Sequence, residues 1–187
     1  MPRPNWFFAF PLDGAFLEGL PPLPGALRRF HPEDVHLTLA FLGGCGEEGA
    51  MRALSALDAR LALDPPPPTD VTLGEVVPMG GSRKTYTALS ALLGTGREAL
   101  TATLTAHRDA LTEAASGRRE SRAAKPHITI ARPKRRATPE DRDAGLAWAE
   151  ALDLSGVKAR LDRIALFTWS ESRVERLFRV VVERRLG

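Results

Sequence analysis

The chain has 187 residues, of which 43% are hydrophobic, so it can bury the core of one compact domain and is too apolar for a disordered tail. Lysine and arginine (26) exceed aspartate and glutamate (23), and the pI near 9.5 favours anionic partners over cationic ones. The single cysteine, Cys45, cannot form an internal disulfide, and no segment resembles a signal peptide or a membrane span. We therefore expect a cytoplasmic protein.

The hydrophobic pattern predicts strands and helices that are interleaved along the chain. Segments with a period of two, or rich in β-forming residues, predict strands at Asn5 to Leu12, Val35 to Leu42, Thr69 to Val77, Lys84 to Leu92, His127 to Ala131, Leu161 to Trp169 and Arg176 to Arg184. Apolar residues at helical spacing predict a first helix from Glu47 to Leu63. A second helix is predicted to begin at a capping box formed by Thr95 and Glu98, and its apolar stripe is Leu100, Leu104, His107 and Leu111. A third helix is predicted from the N-cap Thr138 through Leu152.

The order of these elements indicates the fold class. The strands on either side of the turn-forming sequence Met79 to Ser82 are expected to form a hairpin. Helices do not follow every strand, as they do in doubly wound parallel folds. We therefore predict an α+β fold with largely antiparallel sheets and helices on the outside.

One short pattern occurs twice. The sequence His-Leu-Thr-Leu at His36 matches His-Ile-Thr-Ile at His127, with a separation of 127 − 36 = 91 residues. Because successive side chains of a strand point to opposite faces, each histidine shares a face with its threonine while the aliphatic residues occupy the other face. The duplication predicts a single bilobal domain over residues 1–187, with a pseudo-two-fold axis and both polar faces lining a central groove.

The residues on these polar faces suit a phosphoester. Two imidazoles with pKa values near 6.5 can divide the work of proton acceptor and proton donor. The hydroxyls of Thr38 and Thr129 can donate hydrogen bonds to non-bridging phosphate oxygens, and the guanidinium of Arg132 can form two parallel bonds to them. The segment from Gly117 to Arg136 has eight basic residues and the single acid Glu120. This run is either a solvated surface or, if it borders the groove, an RNA-binding track.

The extended motifs HLTLAFLG, His36 to Gly43, and PHITIARP, Pro126 to Pro133, resemble the paired motifs of the 2H phosphoesterases. Within that superfamily they are most similar to the bacterial and archaeal RNA 2′,3′-cyclic phosphodiesterases, also called 2′-5′ RNA ligases. The opening FFAFPL and the late segment LDRIALFTWSES resemble the same family, so the resemblance extends over almost the whole chain.

The resemblance implies roles for particular residues. His36 and His127 would be the catalytic pair, and Thr38, Thr129 and Arg132 would bind the phosphate. The expected reaction opens RNA 2′,3′-cyclic phosphate ends or cyclic nucleotides to 2′-phosphates without a metal or cofactor, and 2′-5′ ligation is a related activity. A monomer with no obligate protein partner is expected. We assign His127 as the base and His36 as the acid, although the symmetry of the motifs makes the opposite assignment equivalent.

Two further positions bear on how the site would contact its substrate. The family frequently has a glycine and a tyrosine in its last strand, whereas this chain has Glu175 to Phe178, so the resemblance does not imply a hydroxyl contact from that position. Phe7 shares a face with Ala9 and either stacks on a nucleobase or belongs to the core.

Two other function classes remain open from the sequence. A metallohydrolase with both histidines as ligands is disfavoured, because no carboxylate or cysteine cluster accompanies either motif at close spacing. A noncatalytic RNA- or nucleotide-binding module on the same scaffold is the main alternative. Among the remaining candidates, His31 is expected at the surface, His107 in helix packing, and Cys45 as an inert thiol.

Overall fold

The structure is a computed structural model that describes residues 3–121 and 123–187. The strands are β1 Trp6–Pro11, β2 Leu27–Arg29, β3 His36–Gly43, β4 Thr69–Met79, β5 Ala88–Thr95, β6 His127–Pro133, β7 Lys158–Leu161, β8 Arg163–Trp169 and β9 Phe178–Arg185. The α-helices are α1 Gly46–Leu63, α2 Arg97–Ser116 and α3 Pro139–Glu150, and two short 3₁₀ helices cover Ala15–Gly19 and Pro32–Asp34.

The strands form one curled sheet in the order β7-β4-β5-β6-β3-β1-β8-β9, with β2 paired beside β6. Neighbouring strands run antiparallel throughout the described residues. The two strands that carry the duplicated motif, β3 and β6, are adjacent at the centre. The predicted α+β class and antiparallel arrangement are therefore confirmed.

The order of strands repeats outward from the centre of the sheet. β3 has β1, β8 and β9 on its outer side, and β6 has β5, β4 and β7 on its own outer side. Helix α2 packs against β3 and α1 packs against α2, while α3 packs mainly against β4. The aliphatic residues of the two motifs point into this core and are almost fully buried, as are Leu100, Leu104 and Leu111 of α2. The opposite face of β3 and β6 is left for the groove.

Most predicted elements are confirmed, with small shifts at their ends. The predicted hairpin is formed by β4 and β5, although β5 begins at Ala88 and not at Lys84 because residues 83–85 belong to the turn. The start of α3 at the N-cap Thr138 is as expected, and Asp141 completes a capping box there. The predicted capping box at the start of α2 is wrong, because Thr95 ends β5 and its hydroxyl accepts a hydrogen bond from the Thr72 amide across the hairpin. The short strands β2 and β7 were not predicted.

Other sequence interpretations concern single residues. His31 is exposed, and His107 is buried in α2, where its Nδ1 accepts a hydrogen bond from Arg60 of α1. Burial raises the pKa of the Cys45 thiol, which agrees with an unreactive role. Among the helices of the described segments, none combines the length and the hydropathy needed to cross a bilayer.

Helix α2 is flanked by two glycines in the left-handed conformation, Gly96 and Gly117, and their different surroundings lead to a stability prediction. A methyl group at Gly96 (φ 74°) would lie 2.7 Å from Val71 Cγ1, whereas at Gly117 (φ 70°) it would meet nothing within 4 Å. We expect Gly117→Ala to lower the free energy of unfolding by about 1 kcal/mol through backbone strain alone. Gly96→Ala is expected to cost about 2–4 kcal/mol, because a steric clash is added. Urea denaturation measures both, and equal losses would contradict the assigned contact.

Candidate active site

The central strand pair brings the two motifs together. Leu37 pairs with Ile128, which sets His36 across from Thr129 and Thr38 across from His127 on the groove face. Residues that lie diagonally across an antiparallel pair are about 7–8 Å apart, so the two imidazoles flank a space of molecular size. The four motif residues predicted from sequence thus lie on one continuous surface.

Matching bulges adjust the two strands. Thr38 and Ala40 pair with consecutive residues of β1, which leaves Leu39 as an extra residue. Thr129 and Ala131 likewise pair with consecutive residues of β5, which leaves an extra residue 91 positions later in the chain. A bulge shifts the alternation of side chains beyond it. As a result Phe41 in β3 and its counterpart in β6, the predicted phosphate ligand Arg132, are exposed.

Both imidazole rings are held by the same backbone contact. The Nδ1 atom of His36 lies 2.6 Å from the Asp34 carbonyl oxygen, and that of His127 lies 2.7 Å from the Lys125 carbonyl oxygen. A carbonyl oxygen only accepts hydrogen bonds, so Nδ1 carries the hydrogen in each ring. Each Nε2 atom is therefore left for the groove, where it accepts a proton when the ring is neutral and donates one when the ring is charged.

The surroundings of the two rings differ. His36 is half-buried beside aromatic side chains, with ring centroids 4.8 Å from Phe7, 5.6 Å from Phe167 and 5.6 Å from Phe178. Burial lowers the pKa of His36 to about 4, with further lowering from Arg132 and His127 and partial opposition from the Asp34 carbonyl. At neutral pH the ring of His36 is uncharged.

Phe7 lies beneath His36 in the structure. It is only 3% exposed, and its ring stacks on Phe167 with the planes 2° apart and the centroids 5.1 Å apart. Phe178 covers its edge at 4.8 Å. This burial favours the core interpretation of Phe7 over stacking on a nucleobase. The large aromatic residue exposed beside the motif is Phe41, at 52%.

The carboxylate of Asp34, a residue that the sequence analysis did not identify, ties the last strand to the site. Asp34 is buried, and its two oxygens accept the backbone N–H groups of Leu177 at 2.7 Å and Phe178 at 3.1 Å. Its own carbonyl orients His36. One residue thus fixes both the imidazole of His36 and the aromatic ring that lies edge-on to it.

The hydroxyl-bearing residues also have unequal neighbours. Thr129 Oγ1 lies 3.2 Å from Ser90 Oγ on β5, where either oxygen can be the donor. Thr38 pairs instead with Ala9 of β1. Ser90 is fully buried and so orients Thr129 from below, a contact that the sequence pattern did not reveal.

The guanidinium of Arg132 is held by an aromatic ring. Its Cζ lies 5.1 Å from the ring centroid of Phe30, and that ring lies 6.4 Å from the ring of His36. Desolvation and the nearby Arg173 lower the pKa of Arg132, although an arginine stays charged at neutral pH. The predicted phosphate ligand therefore lies at the edge of the histidine site with its cationic head free for an anion.

Residues of the basic segment predicted from the sequence, Gly117 to Arg136, lie near opposite ends of the two groove strands. Arg132, Lys134 and Arg135 line one cavity, and Arg118 and Arg119 line another beside Phe41. Arg122 lies outside the described residues.

In the described parts of the chain, no group of three or more His, Cys, Asp or Glu side chains is arranged to hold a metal ion.

The comparisons with known proteins agree with this architecture. A scan against protein-family models and a search of curated proteins found no match. Among solved structures, E. coli LigT complexed with 3′-AMP is similar with a TM-score of 0.68 and 20% identity, covering 100% of this chain and 99% of that chain. A phosphoesterase has a TM-score of 0.68 and 22% identity, covering 97% and 98%. The chain has the LigT fold.

A further similar structure is TT0787 of Thermus thermophilus, with a TM-score of 0.65 and 19% identity over 97% of each chain. The resemblance seen in the sequence is thus confirmed for the fold over the full length. At these identities the LigT fold alone does not define an activity, so the function has to be argued from the site.

The role of Asp34 predicts a specific loss of stability. Asp34→Ala would leave the Leu177 and Phe178 amides without acceptors, and we expect the free energy of unfolding to fall by about 2–4 kcal/mol. Glu33→Ala is the matched control, because Glu33 is exposed and its ion pair with Arg176 is expected to contribute less than about 1 kcal/mol. Urea denaturation of both variants measures the difference, and similar losses would contradict the proposed link to β9.

Proposed function

We propose that this chain is a 2H phosphoesterase that opens RNA 2′,3′-cyclic phosphate ends to 2′-phosphates without a metal ion. The observation that carries the proposal is the placement of His36 and His127 across one strand pair, with each Nδ1 bonded to a backbone carbonyl and each Nε2 free for the groove. The LigT fold adds support, since E. coli LigT has been solved with 3′-AMP, NADP⁺, ATP and phosphate.

In this reaction the phosphate lies between the two imidazoles. One Nε2 takes a proton from water as the water oxygen bonds to phosphorus, and the bond from phosphorus to O3′ breaks. The other Nε2 gives its proton to O3′, which leaves a 2′-phosphate and a 3′-hydroxyl. Thr38, Thr129 and Arg132 donate hydrogen bonds to the non-bridging oxygens as negative charge develops there. With an RNA 5′-hydroxyl in place of water, the same displacement forms a 2′-5′ bond.

The environment of the histidines favours one division of labour. Because the pKa of His36 is lowered to about 4, its ring is neutral at pH 7 and, with the ring hydrogen on Nδ1, its Nε2 has no proton to donate and acts only as an acceptor, although the low pKa also makes it a weak base. We therefore assign His36 as the general base, and the two-histidine reaction then leaves proton donation to His127. This is the opposite of the assignment made from the symmetric motifs.

The first test is turnover in the presence of a chelator. We expect the purified protein to open 2′,3′-cyclic AMP in excess EDTA. His36→Ala and His127→Ala should each lower kcat by about 10²–10⁴-fold, because each removes one positioned proton transfer. His31→Asn, a change at an exposed histidine that keeps a side-chain acceptor for the Glu33 amide, is the control and should keep wild-type turnover.

Three results would count against the proposal. Sensitivity to EDTA would favour a metallohydrolase. Turnover above a tenth of wild type in both catalytic variants would contradict the two-histidine reaction. Binding of the cyclic nucleotide without turnover in the wild type would favour a noncatalytic binding module.

The second test separates the base from the acid. A cyclic phosphate with sulfur at the 3′ bridging position has a leaving group that needs little protonation, because a thiol is far more acidic than an alcohol. His127→Ala should regain at least about tenfold in kcat on this substrate relative to the oxygen substrate, whereas His36→Ala should regain little. The reverse pattern would make His127 the base.

A further inference from the structure

A cavity of about 340 Å³, here called the basic cavity, opens beside Arg132 where β6 ends. Its basic lining residues are Arg28, Arg132, Lys134, Arg135 and Arg173. The rest of its described lining is apolar and contains no carboxylate. The volume is at the lower end of the range of about 300–1,000 Å³ for small-molecule pockets, which suits a compact anionic group.

Two of these cations are positioned by neutral backbone atoms. Arg28 donates from Nη2 to the Val174 carbonyl oxygen at 3.1 Å. Lys134 donates from Nζ to the Gly25 carbonyl oxygen. Carbonyl groups fix the direction of a side chain without cancelling its charge, so both positive charges remain available in the cavity.

A third cation is positioned in the same way by an aromatic ring. The Cζ atom of Arg173 lies 4.1 Å from the ring centroid of Trp169 and is close enough to Arg132 to repel it. By contrast, Arg176 in the same loop is paired with Glu33. Arg176 is thus neutralised, whereas the described lining of the cavity has several cations and no carboxylate. These positive charges lie close together, and a bound anion would reduce their mutual repulsion.

The basic cavity lies beside the proposed reaction centre, with Phe30 between the two. Phe30 forms part of the cavity wall, carries Arg132 on its ring and lies 6.4 Å from the ring of His36. A group bound in the cavity is therefore one aromatic ring away from the catalytic imidazole. This separation suits two phosphates of the same nucleotide chain.

The chemistry of the substrate then fixes which phosphate this is. A 2′,3′-cyclic phosphate is always a 3′ end, so every other phosphate of the molecule lies on the 5′ side. We propose that the basic cavity binds the phosphate on the 5′ side of the terminal nucleoside. This inference rests on the proposed function and makes an RNA strand, or a 5′-phosphorylated nucleotide, a better substrate than an unphosphorylated cyclic nucleoside phosphate.

The experiment uses three adenine substrates with the same cyclic end: one without a 5′-phosphate, one with a 5′-phosphate, and a dinucleotide. We expect kcat/KM to rise by about tenfold or more when either 5′ phosphate group is present, because it gains charge-assisted hydrogen bonds. An advantage of the dinucleotide alone would assign the cavity to the internal phosphate of a strand. Equal values for all three substrates would overturn the inference.

Variants locate the effect. Arg135→Ala and Arg173→Ala should each reduce the advantage of the 5′ phosphate about tenfold, and should make the salt dependence of KM less steep by about one unit of log–log slope. Arg136→Ala is the matched control, since Arg136 is exposed and next in sequence but does not line the cavity. If all three variants keep the wild-type preference, the inference is wrong.

A binding measurement separates this inference from the proposed function. The affinities of adenosine 2′-phosphate and adenosine 2′,5′-bisphosphate are compared by calorimetry, which needs no turnover. Tighter binding of the bisphosphate, lost in Arg135→Ala and kept in Arg136→Ala, would support the basic cavity even if no substrate were hydrolysed. Equal binding of the two ligands alongside normal turnover would overturn the cavity and leave the proposed function intact.

Discussion

The geometry of the site depends on the backbone pairing of Leu37 with Ile128. Strand side chains alternate with a period of two, so a slip of one residue in this pairing would turn one histidine and its threonine toward the core. The pairing is protected on both sides because β1 and β5 hold the outer edges of the two motif strands. The buried aliphatic residues of both motifs reinforce the same register from below, since a slip of one residue would expose them.

The duplicated motif gives the two histidines the same backbone contact and different surroundings. Each Nδ1 is fixed by a carbonyl two residues earlier in the chain, but His36 is packed among aromatic rings. No such ring contact with His127 occurs among the described residues. Two identical side chains thus have unlike environments, which is a common means by which enzymes separate acid from base.

The sequence predicted those parts of the molecule that rest on local periodicity. The two motif strands, their faces and the buried stripe of α2 all follow from residue spacing. The strands β2 and β7 were missed because they have only three and four residues, too few to establish a pattern. The capping box predicted at Thr95 is wrong because the Thr95 hydroxyl, which would suit the start of a helix, accepts a hydrogen bond from the Thr72 amide across the hairpin.

Other parts of the site depend on contacts between distant segments. The carboxylate of Asp34 binds amides more than 140 residues later in the chain, and no pattern around it indicates this partner. The position of Arg132 over Phe30 requires the bulge in β6, which has no signature in residue type. Sequence reasoning therefore identified Arg132 from its place after the second motif and from the family resemblance, and missed the ring that holds it.

The paired bulges have a consequence for directionality. They bring residues 41 and 132 to equivalent places at opposite ends of a nearly symmetric cradle, yet one is phenylalanine and the other is arginine. A cradle with identical ends would accept a polynucleotide in either polarity. Here Phe41 presents an exposed ring beside Arg118 and Arg119 at one end, whereas Arg132 presents a guanidinium at the other, so the two repeated motifs end in unlike surfaces and the two ends of the cradle are not interchangeable.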